Sequence, residues 1–305
     1  MSARTLAAVA VLLVGLGVAL PALATGYVVY IGNLLLVFVV LSLGLHVVIG
    51  EAGQFSLAHA AFYGIGIYTA ALGAGVLGLP FWAALLAGGL LAALCGLAIG
   101  VLSLRMRDIY LALSTFAFGE AMQWVFLNWT SVTGGPNGLA IPPTSVFGHP
   151  ILSDKAAFPL VAGVTLVFVA LVAGLHASGL GRAFRAVRES EVAAAAVGID
   201  VRRTKLLAFT LSAFLAGAAG GLFTTFSTFI HPDSLGFQTT ILVLTMIVVG
   251  GVGSVTGALG GAVVFGLVSE LLRQVPSYQE MIYGGILILV MMYAPRGVFA
   301  RLGRR

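Results

Sequence analysis

Ten apolar runs succeed one another along the chain, each near the roughly 17–25 residues that a helix needs to cross a bilayer. They lie at about 5–24, 30–49, 56–78, 80–104, 109–129, 157–177, 206–229, 238–252, 254–272 and 281–298, a few of them shortened or interrupted by glycine. Polar positions collect in two places between them. The first, residues 130–156, is rich in Gly, Pro, Ser and Thr, and its Gly134-Gly135-Pro136-Asn137-Gly138 run is a cluster of turn formers. The second, residues 179–205, holds six of the 15 Lys and Arg residues, interspersed with Glu189, Glu191 and Asp200. Residues 182–197 are helix formers throughout, and Gly198 stands where a helix-ending glycine belongs. The pattern predicts an all-α polytopic membrane protein, one transmembrane domain over 1–305. It has about ten transmembrane helices with Gly-interrupted spans, an external loop at 130–156 and a short charged helix within 179–205.

Composition agrees. Sixty percent of the residues are hydrophobic and 8% charged, against about a quarter charged in soluble domains. Charge placement sets the orientation. With the N-terminus inside, Arg4, Arg105, Arg107, the six basic residues of 179–205, Arg296, Arg301, Arg304 and Arg305 all fall inside. That places 13 basic residues within and only Lys155 and Arg273 without, the positive-inside asymmetry, and puts both termini in the cytoplasm. Met1 to Arg4, the following apolar run and Ala22-Leu23-Ala24 also satisfy a signal-peptide pattern, although the first span reads as retained. The basic residues sit in segments between spans, so the net charge of +5 is a topology signal and points to no nucleic acid. Cys95, the single cysteine, lies in an apolar run and allows no intrachain disulfide or thiolate metal site.

Catalytic signatures are missing from the sequence. There is no HExxH or GxSxG, and both lysines lack a Walker A context, being preceded by Asp154 and Thr204. Glu120, near the middle of 109–129, is the only carboxylate deep in a span, with Glu51 and Glu270 nearer the ends. An ionisable group at that depth is a functional candidate by default. Gln123 and Trp124 share its helix face, and Thr115 lies on the same span. Ser56, His59 and Tyr63 form a polar stripe on the third span just after Gln54, and hydrogen bonding between helices explains it as well as a solute pathway does. His46 has no partner that spacing identifies. Gly253, Gly257 and Gly261, and again Gly217 and Gly221, have the GxxxG spacing that lets helices approach closely. Gly251 and Gly253 lie where a helix break would turn backbone polar groups toward a pathway. Val48 to Gln54 is echoed by Val248 to Ser254. A self-powered ion-coupled carrier usually has a relay of several intramembrane charges, so one deep carboxylate argues against that alternative without excluding it.

The run Arg107-Asp108-Ile109-Tyr110-Leu111-Ala112-Leu113-Ser114-Thr115-Phe116-Ala117-Phe118-Gly119-Glu120, with Asn128 and Thr133-Gly134-Gly135-Pro136-Asn137-Gly138-Leu139 after it, resembles the LivM-type permeases of ABC importers for branched-chain amino acids. The likeness continues through Gly181-Arg182-Ala183, Arg188-Glu189-Ser190-Glu191, Ala194 to Gly198, Lys205-Leu206, Ala208-Phe209, Val249 to Ser254 and Pro295-Arg296-Gly297, covering roughly 30–300. It implies a non-enzymatic subunit of a bacterial cytoplasmic (inner) membrane importer that works by alternating access. The solute path is shared with a LivH-like permease or a second copy of this chain. Two cytoplasmic ATPase subunits carry the ATP and Mg, while this chain binds no cofactor. A periplasmic or lipid-anchored solute-binding protein delivers substrate, with 130–156 as its landing surface. Residues 179–205 then correspond to the cytoplasmic coupling segment. Arg182, Arg185, Arg188, Glu189 and Glu191 would be its rim contacts, 193–196 with Ala194 its small face, and Gly198 its stop. Glu191-Val192-Ala193-Ala194 is similar to the Glu-Ala-Ala motif of importer permeases, from which Val192 departs. Candidate positions on the solute path are Gln54, Ser56, His59, Tyr63, Thr115, Glu120, Gly251 and Gly253. Related permeases carry urea, amides and other small solutes, so the family leaves those substrates open beside the amino acids.

Overall fold

With few side chains able to serve it in an apolar setting, the backbone of each run must satisfy its own N–H and C=O groups, and helix is the local solution. The computed structural model describes residues 11, 15, 17, 19–22, 24–106, 108–146, 148–275, 278–294 and 297–299. The elements are α1 (Gly26–Leu45), α2 (His59–Val76), α3 (Phe81–Ser103), α4 (Asp108–Asn128), a one-turn α5 (Thr130–Thr133), α6 (Asp154–Ala177), α7 (Gly179–Glu189), α8 (Glu191–Ala196), α9 (Val201–Phe223), α10 (Phe237–Gly250), α11 (Val255–Leu272) and α12 (Gln279–Tyr293). α1 continues into a π-helical turn, His46–Glu51. Among the described residues, six helices are long and apolar enough to cross a membrane: Gly26–Glu51, Phe81–Ser103, Asp154–Ala177, Val201–Phe223, Pro232–Gly250 and Val255–Leu272. α2, α4 and α12 are helical within predicted runs but are not among those six. Most of the first predicted run, 5–24, lies outside the described residues.

Helix ends sort into two sets. At one, β1 (Leu139–Ala140) pairs antiparallel with β4 (Phe229–Ile230), Thr144 Oγ1 donates to Thr224 O (3.1 Å), and Asn33 Nδ2 donates to Asp154 O (3.0 Å). Tyr27 Oη donates to Glu270 there as well (2.6 Å). At the other end, Arg185 reaches Glu51, and Val298 N–H donates to Val249 O (2.8 Å). The 130–156 segment is more ordered than a plain loop, since β2 (Ser145–Val146) and β3 (His149–Pro150) also pair within it.

α9 is the central helix, packed most extensively against α3, α2 and α1, while α10 and α11 form a hairpin against α1. Glycine sets the spacing. A Cβ on Gly66 would lie 2.0 Å from Gly217 O, and one on Gly217 would lie 2.5 Å from Ala92 Cβ and 2.6 Å from Gly88 O. In the hairpin, a Cβ on Gly261 would lie 1.9 Å from Met246 O. Gly217→Leu is therefore expected to destabilise the bundle by about 1–3 kcal/mol, the usual range for overpacking, and to lower the unfolding temperature of the purified protein by several degrees. Gly163→Ala is the control: nothing lies within 4 Å of its Cβ position, and alanine favours helix, so its melting temperature should hold or rise.

Three expectations about 179–205 need correction. The single helix over 182–197 is two helices, parted at Ser190, whose φ of −163° is extended. Serine competes with the helix for backbone partners, and here Ser190 Oγ accepts from Ala193 N (3.3 Å), capping a new helix. The seventh run begins at Val201 instead of 206, because Asp200 Oδ1 accepts from Arg203 N (3.0 Å) as its N-cap. Arg202, Arg203 and Lys205 thus belong to the first turns of α9 and to no loop. That helix also stops at Phe223, short of 229. The stop at Gly198 stands: its φ is +84°, Gly198 N–H donates to Ala195 O (3.0 Å) and Ile199 N–H to Ala194 O (3.0 Å). Those two bonds are the Schellman closure.

Candidate functional site

α7 buries Gly181, Phe184 and Val187, spaced by three, against the bundle. The next positions around that face, Arg185 and Arg188, are carried inward with it. Arg185 Nη1 lies 2.9 Å from Glu51 Oε2 and donates to His176 O (3.0 Å). Glu51, 1% exposed, also takes His46 Nε2 (3.2 Å) and His176 Nδ1 (2.5 Å) on Oε1. Donors from the π turn, from the end of α6 and from α7 thus meet on one carboxylate. Charge-assisted hydrogen bonds of this kind are the strong ones, and removing one partner of a buried pair costs about 3–5 kcal/mol, the lower end applying here because the Arg185 side chain is 38% exposed. Arg188 Nη1 donates to Gly50 O. A Cβ on Gly53 (φ +68°) or on Gly253 (φ +90°) would lie 2.7 Å from an Arg188 side-chain atom, so this one residue sits between two glycine turns. The two echoing stretches are therefore neighbours: a Cβ on Gly50 would lie 3.2 Å from Gly253 N.

Arg185 is half-buried and turned to Glu51, and Arg188, although exposed overall, lays its guanidinium on Gly50 O; Arg182 and Glu189 are exposed as well. Glu191 is also engaged within the chain, with Oε1 2.5 Å from Nζ of Lys205, which is 4% exposed. Ala194 is buried, so it seats α8 on the bundle and is absent from the outer face. That outer face is small and apolar: Val192 is 80% and Val197 76% exposed, beside exposed Ala193, Ala195 and Ala196.

Of the pathway candidates, Gln54, Ser56, His59, Tyr63 and Thr115 are buried, and Thr115 and His59 make hydrogen bonds to neighbouring segments. Leu57 N–H donates to Thr115 Oγ1 (3.0 Å), Ala60 N–H to Thr240 Oγ1 (3.3 Å), and His59 Nε2 lies 3.0 Å from Leu41 O. Tyr63 stacks edge-on against Phe223, their centroids 6.0 Å apart. Gly251 is buried and Gly253 half-buried at the turn after α10. Glu120 behaves otherwise. It is exposed on α4, in one stripe with Ile109, Leu113, Ala117, Ala121, Trp124 and Asn128. The adjoining face of α4 meets the α10 start, where Phe116 and Phe237 stack edge-on (5.1 Å). Where such a helix lies in a bilayer, a carboxylate facing hydrocarbon costs about 2.5–3.5 kcal/mol on insertion scales. Bare lipid is thus a poor neighbour for that stripe.

Glu51, His176 and Lys205 were not singled out by sequence, and His46 had no identified partner. Residues 125 and 134 positions apart in the chain meet at Glu51, and no local pattern encodes that. One signal was available: in the period of α7, Arg185 and Arg188 flank Phe184 and Val187.

These features define a polytopic α-helical membrane subunit with a fastened, partly exposed helix pair at one end. The family model described as branched-chain amino acid transport system / permease component matches residues 27–291, and the chain belongs to that family. It is similar to the LivM permease protein of the high-affinity branched-chain amino acid transport system of Escherichia coli (strain K12), 36% identical over 312 residues, 94% of this chain and 73% of that one. It is also similar to the LivH permease protein of the same strain, 27% identical over 282 residues, 87% of this chain and 91% of the other. A 138-residue match, 33% identical, links 45% of the chain to 45% of the BraD permease protein of Pseudomonas aeruginosa. No solved structure gives a significant match.

Proposed function

We propose that this chain is the permease subunit of an ATP-driven importer that carries branched-chain or related small amino acids across a bacterial cytoplasmic membrane by alternating access. The observation that carries the reading is α8, a short helix fastened from behind by Glu191–Lys205 and Ala194 and presenting Val192 and Val197 outward. An exposed small apolar face on a fixed mount suits a groove on an ATPase subunit. Its end of the bundle is the cytoplasmic one by charge, with ten crossings and both termini inside. Residues 130–156 then face the solute-binding protein. Similarity to both LivM and LivH permeases supports a pair of such subunits, and the α4 stripe with Glu120 suits the side turned to the partner permease and the solute path. A carboxylate there also favours an amino acid over urea, because it offers a partner to the α-ammonium group.

Reconstitution tests this. Proteoliposomes holding the chain, its partner permease and ATPase subunits are expected to accumulate labelled leucine only with ATP and the binding protein both present. Uptake by this chain alone, driven by an ion gradient, would overturn the reading.

A further inference from the structure

We infer that Glu51, Arg185 and Arg188 form the joint through which displacement of α7 and α8 reaches the two glycine turns that end α1 and α10. The inference rests on the importer reading and adds the route of transmission, which no family match assigns.

Geometry supplies the case. Glu51 is fully buried and held by donors from three elements, so α7 cannot shift independently without stripping Arg185 from a carboxylate that has no solvent to replace it. Moving the turn with the helix avoids that cost. The turn is suited to move, since His46–Glu51 is a wide π turn rather than regular α-helix, a form often found at functional sites. Arg188 extends the connection to the second turn. Its guanidinium donates to Gly50 O and fills the space a side chain would need at Gly253, while its Cβ and Cγ do the same at Gly53. One Arg188 side chain is thus bonded to the first turn and packed directly against both, so a displacement of α7 presses on the two together. Coupling of this kind needs an element with two arrangements that both sites bias; the paired turns are that element. These three are positioning residues, acting through the turns and not on solute.

The test reads movement and transport separately. In the reconstituted complex with Cys95→Ser, Val252→Cys places a thiol on the second turn, where Val252 is 38% exposed. Its labelling rate by a maleimide is expected to differ several-fold between nucleotide-free and ATP-bound complexes. Glu51→Gln, Arg185→Lys and Arg188→Ala should each abolish that difference and lower leucine uptake at least tenfold, with ATPase subunits still co-purifying and ATP hydrolysis retained. Glu51→Gln with Arg185→Lys should be no worse than either alone. Should Arg188→Ala fail to fold, Arg188→Lys keeps the charge and stem but loses the guanidinium. A wild-type complex that imports without any nucleotide-dependent change at Val252→Cys overturns the joint, as do variants that keep the wild-type ratio of uptake to hydrolysis. A wild-type complex without ATP-dependent uptake overturns the importer reading instead.

Discussion

Glu191→Lys is expected to abolish ATP-driven uptake while leaving the helix bundle folded in the membrane. The carboxylate lies 2.5 Å from Lys205 Nζ, and the substitution sets two ammonium groups against each other. Removing one partner of a buried pair costs about 3–5 kcal/mol, and the lower end applies because the Glu191 side chain is 34% exposed. α8 has one turn and a half and a single buried residue, Ala194, so it is the part that leaves its seat. α9 keeps its Asp200 cap and its long buried face. Labelled-leucine uptake, ATPase co-purification and a thermal melt on the same preparation check this. The reversed pair, Glu191→Lys with Lys205→Glu, then apportions the role. Recovered uptake would mean that Glu191 acts by holding α8, whereas a reseated α8 without uptake would assign the carboxylate to the ATPase contact.

Gly198→Pro should be as severe by a different route. Gly198 has φ +84°, whereas proline is fixed near −65°, and the change also removes the N–H that closes α8 onto Ala195 O. Nothing lies within 4 Å of a Cβ at this site, so the loss comes from backbone conformation and not from crowding. Alanine there carries only the left-handed penalty of about 1–2 kcal/mol, and asparagine less. Uptake is expected to fall in the order Asn, Ala, Pro at equal membrane abundance. Wild-type uptake with proline would remove α8 from the coupling path.

The apolar runs that form the six long helices and the Gly198 stop were legible in the chain, because each has a local cause. The signals at Ser190 and Asp200 were present but masked by strong helix formers on both sides, so two helices read as one and α9 began late. The inner and outer faces were harder to tell apart. In a membrane chain both lipid and core favour apolar residues, so periodicity loses its power to orient a helix. Ser56, His59 and Tyr63 therefore read equally as pathway candidates and as contacts between helices, and all three are buried in the fold. Glu51 with Arg185 was out of reach for a different reason, since such a contact exists only once α1, α6 and α7 have packed. The echo between 48–54 and 248–254 was visible as a pattern; that its glycines touch was not.

The junction of Gly66, Gly88 and Gly217 bears on how such a protein can change through descent. Where backbone meets backbone there is no side chain to exchange, so substitution cannot widen or reshape that contact without parting the helices. On the proposed solute path, adaptation to a different solute would be written elsewhere, on the outward stripe of α4 and the segments that border it. The block of α2, α3 and α9 would pass between lineages as a fixed frame, with its cargo decided at the margin.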